Sequence, residues 1–387
     1  MRMRFAKKFF SLSGHPPDYV LLWTTLALVI FGFLFLASAS SDLGKMWYND
    51  TYYFLKSQFF KGLLPGLLGG AIAYFIYYRY WKKFIAYAFF LNVILLGLVF
   101  TPLGHTANGS SRWLHIGGFL FQPSEFLKFT FILYIASLLS STRMRNATKG
   151  WKTYLTFLSV SGIVAALIFF QPATTMAVIV VGSGVIMYLF SGASWKQLTV
   201  SAAVTALIFL GLVAITPYRL HRVAPFWNAT VGAVVPRLSL SAATSTDQFH
   251  LNQSLIAIGS GGFWGVGFGK STSKYSVLPE PMGDSIFAVI AEEEGFLGST
   301  LVILAFIIFI WRGIAIALKT HDDFARLAMV GFVSVIGLQA IIHIAANSGA
   351  LPFTGVPLPF ISYGGTAMAV SLTMVGVIAN ISKYTTA

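Results

Sequence analysis

From Tyr19 to Ser40 the chain carries no charged residue, and Leu301 to Ile310 lies at the heart of a second such block. An uncharged apolar run of about 18 residues is long enough to cross the hydrocarbon core of a bilayer, where no ionised side chain is cheaply accommodated. Charged residues make up only 10% of the chain, against about 25% in an ordinary soluble domain. So few charges cannot cover a soluble surface. The sequence therefore excludes a soluble enzyme and a disordered chain, and with Cys at 0 it also excludes a disulfide scaffold and a thiolate nucleophile.

Ten spans are expected, at roughly 19–40, 58–78, 84–101, 123–141, 153–170, 174–191, 197–216, 286–311, 325–346 and 364–382. The fold class is all-α: a polytopic membrane protein of ten transmembrane helices in one domain over residues 1–387. A large extracellular loop, 217–284, lies between helices 7 and 8. The net charge of +14 would suggest nucleic acid in a soluble protein, but here its placement is decisive. With Arg2, Arg4, Lys7 and Lys8 inside, 16 of the 26 basic residues fall on the cytoplasmic side. Both termini are then cytoplasmic and no nucleic-acid partner is needed. The first span follows a basic stretch but shows no convincing cleavage site of the small-x-small type near its end, so it reads as retained.

Two further outside loops are expected, at 101–122 and at 347–363, the latter uncharged and rich in Pro and Gly. The glycine-rich run from Gly259 to Ser271 is not a P-loop, because Trp264 stands where the motif needs glycine. Its glycines suit a tight loop at the membrane surface that a sugar or a neighbouring helix approaches closely. No zinc-type histidine spacing and no internal repeat is present.

Scarce acids are the most informative residues. Asp284 lies where the long loop enters the eighth span. Partial desolvation there would raise its pKa toward that of a general base, while the plain alternative is an N-cap for the helix that follows. Glu292, Glu293 and Glu294 need a wet or protein-lined surrounding, since lipid would penalise them heavily. Glu125 and Lys128 share a helical face at i,i+3. They form either an interfacial ion pair or part of a polar cavity that holds a phosphate or orients a base. Arg112, Arg219 and Arg222 suit bidentate phosphate binding, or plain lipid-headgroup contact.

Taken in order, NGSSRWLHIGGFLFQPSEFLK, PYRLHRVAPFW, DQFHLNQSLIAIGSGGFWGVGFGKS, LPEPMGDSIFAVIAEEEGFLG and LPFTGVPLPFISYGGTA resemble the SEDS family of bacterial membrane glycosyltransferases, which includes FtsW and RodA. The resemblance covers nearly the whole chain. It implies a peptidoglycan glycosyltransferase of the bacterial cytoplasmic membrane that polymerises lipid II into glycan strands. Asp284 matches the family's catalytic aspartate, Glu125 and Lys128 match its QPSE-x-x-K motif, and Arg112 with Trp113 match its Arg-Trp motif. Glu280 stands four residues before Asp284. Cations for the leaving lipid diphosphate would come from Arg112, Lys128, Arg219, Arg222 and Lys270. A divalent cation is an alternative source of that charge, and no cofactor is otherwise implied. The expected partners are lipid II, the lipid-linked strand, a class B penicillin-binding protein transpeptidase of FtsI type and other divisome membrane proteins. The motifs lean to the division branch, with an elongation polymerase or a lipid II flippase as alternatives. The family's Gln-Pro-Asp reads Gln171-Pro172-Ala173 here. Met282-Gly283 replaces a common His-Thr, and Glu294 is an extra acid.

Overall fold

In the computed structural model the first apolar block forms one helix, α1 (Tyr19–Tyr48). The structure describes residues 14–107, 110–116, 119–141, 151–171, 173–192, 196–197, 199–200, 245–275 and 278–385. The expected seventh span and the first part of the large loop lie outside these residues. Asp18 starts α1: its backbone is extended and its carboxylate accepts from Leu21 N, satisfying one of the donors that a helix start leaves open. Asn49 ends it in the left-handed conformation, φ 53°, which asparagine tolerates better than most residues.

The second block is composite. A short helix α2 (Tyr53–Gln58) passes through a π-helical turn (Phe59–Leu63) into α3 (Leu64–Phe75). Then follow α4 (Trp81–Leu98), α5 (Pro123–Leu139), α6 (Trp151–Phe170), α7 (Thr174–Phe190) and α8 (Ser245–Ser260). The last three are α9 (Ile286–Leu318), α10 (Asp323–Asn347) and α11 (Gly365–Ser382). Where residues are described, helices stand at the expected spans, shifted by a few residues. Five helices among the described residues are long and apolar enough to cross a membrane: α1, Tyr78–Leu98, α9, α10 and α11. The protein is a membrane protein.

The all-α expectation needs one correction. Three strands, β1 (Gly104–Ala107), β2 (Ser110–Ile116) and β3 (Phe119–Phe121), form an antiparallel sheet in that order. Leu114 pairs with Gly104 on one side and Phe121 on the other. Asn108-Gly109 and Gly117-Gly118 separate the three runs in sequence. Asn-Gly and Gly-Gly are the dipeptides that two-residue hairpin turns favour.

Helix α10 is the axis of the bundle. It is buried on nearly every side, packing on α9, α7 and α5, as a helix that is apolar all round must. Around it α1 packs on α9 and α3 packs on α11. That last pair approaches closely: a Cβ on Gly376 would lie 2.2 Å from the Gly70 carbonyl oxygen. In a bilayer, where burying apolar surface drives little association, small residues at a helix crossing supply the contact.

The segment 347–363, expected as an outside loop, does not stand free of the helices. It turns back into the bundle. A Cβ on Gly32 would lie 2.4 Å from the Phe360 carbonyl oxygen, and Gly32 stands roughly 20 Å from either end of α1 at 1.5 Å per residue. Val356, Leu358, Phe360 and Ile361 are buried, and the Phe360 ring meets Phe309 of α9. Irregular backbone survives at this depth only when protein groups satisfy its N–H and C=O groups. Those groups come from α10, from Gln58 of α2, from the turn before α9 and from the segment's own Ser362.

Candidate active site

Asp284 is half-buried on the turn that leads into α9. The helix N-cap is Ser285, with no side-chain capping bond. The cap position thus falls one residue after Asp284, and Ser285 Oγ donates to Pro279 O at 2.8 Å. The turn is held from several directions. The Glu280 carbonyl accepts from Gly283 N (3.0 Å) and Ser285 N (3.3 Å), with Glu280 itself at φ 45°, a conformation that costs a non-glycine residue about 1 kcal/mol or more. From the re-entrant segment, Ser362 Oγ donates to Gly283 O at 2.8 Å and Tyr363 N donates to Met282 O at 2.8 Å. From α10, Asn347 Nδ2 donates to Asp284 O at 2.9 Å. The carboxylate rests against Gly355: a Cβ there would stand 2.8 Å from Asp284 Oδ2.

Three polar residues one turn apart on α10 hold the re-entrant segment beside Asp284. Gln339 Nε2 donates to Pro357 O (2.7 Å), His343 Nδ1 lies 2.7 Å from Val356 O, and Asn347 reaches the Asp284 turn. On the inner side Gln339 Oε1 accepts from Lys128 Nζ at 2.7 Å. Lys128 in turn pairs with Glu125 at 2.6 Å, the two side chains being 1% and 2% exposed. The QPSE-x-x-K motif is thus a closed, buried ion pair near the start of α5, and not an interfacial pair reaching outward. It connects to Asp284 through Gln339 and residues 355–357.

The acids of α9 form a second network. Glu293 is fully buried, paired with Lys274 at 2.8 Å, and Ser38 Oγ of α1 lies 2.7 Å and 2.8 Å from its two oxygens. It also accepts from Gly269 N at 3.0 Å. Glu292 accepts from Ser271 Oγ (2.5 Å), Thr272 N (3.0 Å) and Ser273 N (3.3 Å). These carboxylates are protein-lined, and they tie down the glycine-rich run. That run docks into a break of α9 at Gly295, φ 64° and ψ −158°. Val266 N and Gly267 N donate to the carbonyls of Glu292 and Glu293, and Phe296 N donates to Gly262 O. A Cβ on Gly261 would lie 2.0 Å from Ala291 O, and one on Gly265 2.1 Å from Glu293 O. A neighbouring helix is what approaches at these two glycines.

The remaining candidates are spread around this frame. Lys270 is exposed beyond the docked run. Arg112, half-buried on β2, donates from Nε to Gln171 O at 3.1 Å, and Gln171 Nε2 holds Leu96 O at 3.1 Å. The variant triplet ending in Ala173 is therefore anchored by its glutamine. Glu280 is exposed beside Asp284. Arg219 and Arg222 lie outside the described residues. Among the described residues no three His, Cys, Asp or Glu side chains gather as a metal-ligand set.

Residues 19–387 match the protein family described as cell cycle protein, FTSW_RODA_SPOVE. The chain belongs to the FtsW/RodA/SpoVE family. It is 34% identical over 376 residues to the stage V sporulation protein E of Bacillus subtilis (strain 168), covering 95% of this chain and 97% of that one. A probable peptidoglycan glycosyltransferase FtsW of Geobacter sp. (strain M18) is 32% identical over 372 residues, covering 94% and 96%. In fold the chain resembles the rod shape determining protein RodA of Thermus thermophilus, with a TM-score of 0.68 at 24% identity over 96% of this chain and 98% of that one. It also resembles a chain from a structure described as showing coordination of polymerization and crosslinking by a peptidoglycan synthase complex. That match has a TM-score of 0.76 at 22% identity, over 95% and 98% of the two chains.

Sequence reasoning named Asp284, Glu125, Lys128 and Arg112 as candidates, and did not name Gln339, His343, Asn347 or Lys274, which the structure ties to them, to the segment beside Asp284 or to the neighbouring carboxylates. The three on α10 did leave a trace. Polar side chains at i, i+4 and i+8 inside an apolar span share one face, and an intramembrane polar face asks for a partner.

Proposed function

We propose that this protein is a peptidoglycan glycosyltransferase that polymerises lipid II during cell division. The observation that carries the reading is the half-buried Asp284 carboxylate, set on a turn that α10 and the re-entrant segment both hold. Relatives named as probable peptidoglycan glycosyltransferase FtsW at 32–34% identity supply the activity and favour the division branch.

In this reading Asp284 accepts the proton of the acceptor GlcNAc 4-hydroxyl. That oxygen forms a bond to the donor MurNAc anomeric carbon as the bond from that carbon to the lipid diphosphate oxygen breaks. One in-line displacement inverts the centre, so a single carboxylate base suffices. The diphosphate leaves carrying the electron pair, and cations at the outer rim stabilise its charge. Lys270, Arg112, Arg219 and Arg222 are the residues available for this, while Glu280 borders the acceptor side. The protein has ten spans in one domain, both termini in the cytoplasm of a bacterium and the 217–284 loop outside. Beside it works a class B penicillin-binding protein transpeptidase, together with other divisome membrane proteins.

Asp284→Asn tests the base. The purified, folded variant given fluorescent lipid II, with and without the transpeptidase, is expected to form no glycan ladder on a gel. Retained polymerisation would remove Asp284 from the reaction.

A further inference from the structure

We infer that Gln339 is a positioning residue for Asp284, and that the Glu125–Lys128 pair acts on the reaction through it without touching substrate. The inference rests on Asp284 being the base.

The Gln339 amide is used at both ends, and its orientation is forced. Lys128 Nζ has only hydrogens to offer and the Pro357 carbonyl has only lone pairs, so a single amide orientation satisfies both contacts, each 2.7 Å long. The ammonium withdraws electron density through the amide, which strengthens the far Nε2–H donation to Pro357. Pro357 has a fixed φ and lies two residues from Gly355, against which the Asp284 carboxylate rests. A shift of the Pro357 carbonyl therefore carries the floor under Asp284 with it. The next turn of α10 repeats the device, with His343 at Val356 O, and the turn after that reaches Asp284 itself through Asn347. Lys128 and Glu125 close the inner end of this ladder. At 1% exposure, and held by both Glu125 and Gln339, the Lys128 ammonium is closed off from a diphosphate in this arrangement. Removing either charge would leave the other buried and unpaired, and would loosen the ladder at its foot.

The test uses the full-length protein in nanodiscs, with its transpeptidase partner. Gln339→Met keeps the side-chain volume and removes both hydrogen bonds. The expected result is a kcat lower by about 10- to 100-fold, the scale of a sub-ångström to ångström misplacement of a reacting group. KM for lipid II should stay within about twofold, since no substrate contact is removed. Hydrogen–deuterium exchange should quicken at the amides of 355–362 while those of 259–275 keep their protection. Gln339→Glu keeps the Lys128 partner but loses the donation to Pro357, and serves if the methionine variant does not fold; the same split is expected. A kcat within twofold of the parent would overturn the inference. So would a rise in KM at constant kcat, which would mean that Lys128 binds substrate, or unchanged exchange at 355–362. Activity in Asp284→Asn alongside loosened exchange in Gln339→Met would overturn the base and leave the ladder standing, so the two failures are distinguishable.

Discussion

Gly355→Ala adds one methyl group and removes no functional one. Its Cβ would lie 2.8 Å from Asp284 Oδ2, whereas ordinary van der Waals contact begins at 3.4 Å. The carboxylate must therefore retreat by about 0.6 Å, through rotation about two side-chain bonds that cost little to turn. Gly355 is exposed and the displaced atom is the end of a side chain, so stability should fall by under about 1 kcal/mol, as for a surface change. Activity should fall far more. A base must sit within hydrogen-bond reach of its proton, and a misplacement of up to 1 Å costs up to about 100-fold. The expected outcome is a loss of about 10-fold or more in the rate of glycan formation from lipid II, with the melting temperature in detergent moving by only a few degrees. Gly355→Val, with a larger side chain, should be worse still. A full-rate Gly355→Ala protein would show that the position of this carboxylate does not limit the reaction.

Two further outcomes test the frame. Lys274→Met leaves the fully buried Glu293 carboxylate without its counter-charge, so thermal stability should fall by about 3–5 kcal/mol, and adding Glu293→Gln should recover part of it; equal melting temperatures for the single and double variants would contradict this. Gly261→Ala drives a Cβ to within 2.0 Å of a backbone oxygen, Ala291 O, which has no rotamer to escape into. The docked run should lift off α9, visible as faster proteolysis within 259–275, while Gly262→Ala, which meets nothing within 4 Å but stands at φ 55°, should show only a milder backbone strain.

The spans that fall among the described residues were legible as helices because long apolar runs with few charges suit a membrane-crossing helix. Asp284 was legible for a related reason: among so few acids, one at the mouth of a span stands out, and its motif completes the argument. The path of 347–363 was not legible. Its prolines and glycines break every helical periodicity, and periodicity alone does not tell a loop outside the bundle from one folded back within it. The difference lies in Gln339 and His343 on another helix, which meet its carbonyls only once the chain has packed. The choice between Lys270 and Lys274 was hidden in the same way. Both stand in one polar run, and only the arrival of Glu293 and Ser38 makes the second a buried ion pair and leaves the first exposed. The small sheet, by contrast, left a trace in the sequence, the dipeptides Asn108-Gly109 and Gly117-Gly118 between short runs.

The break of α9 at Gly295 bears on how the chain enters the bilayer. Just before the break stand two carboxylates, Glu292 and Glu293, whose partners are Ser38 on the first helix and the 269–274 stretch that precedes α9. On an isolated helix both would stand without these partners, an unfavourable placement for a carboxylate in an apolar span. In the folded protein the 269–274 stretch and Ser38 supply the partners that these two carboxylates would lack on an isolated helix. Splitting the protein between 275 and 286 would separate the helix from the part of the chain that lets it settle.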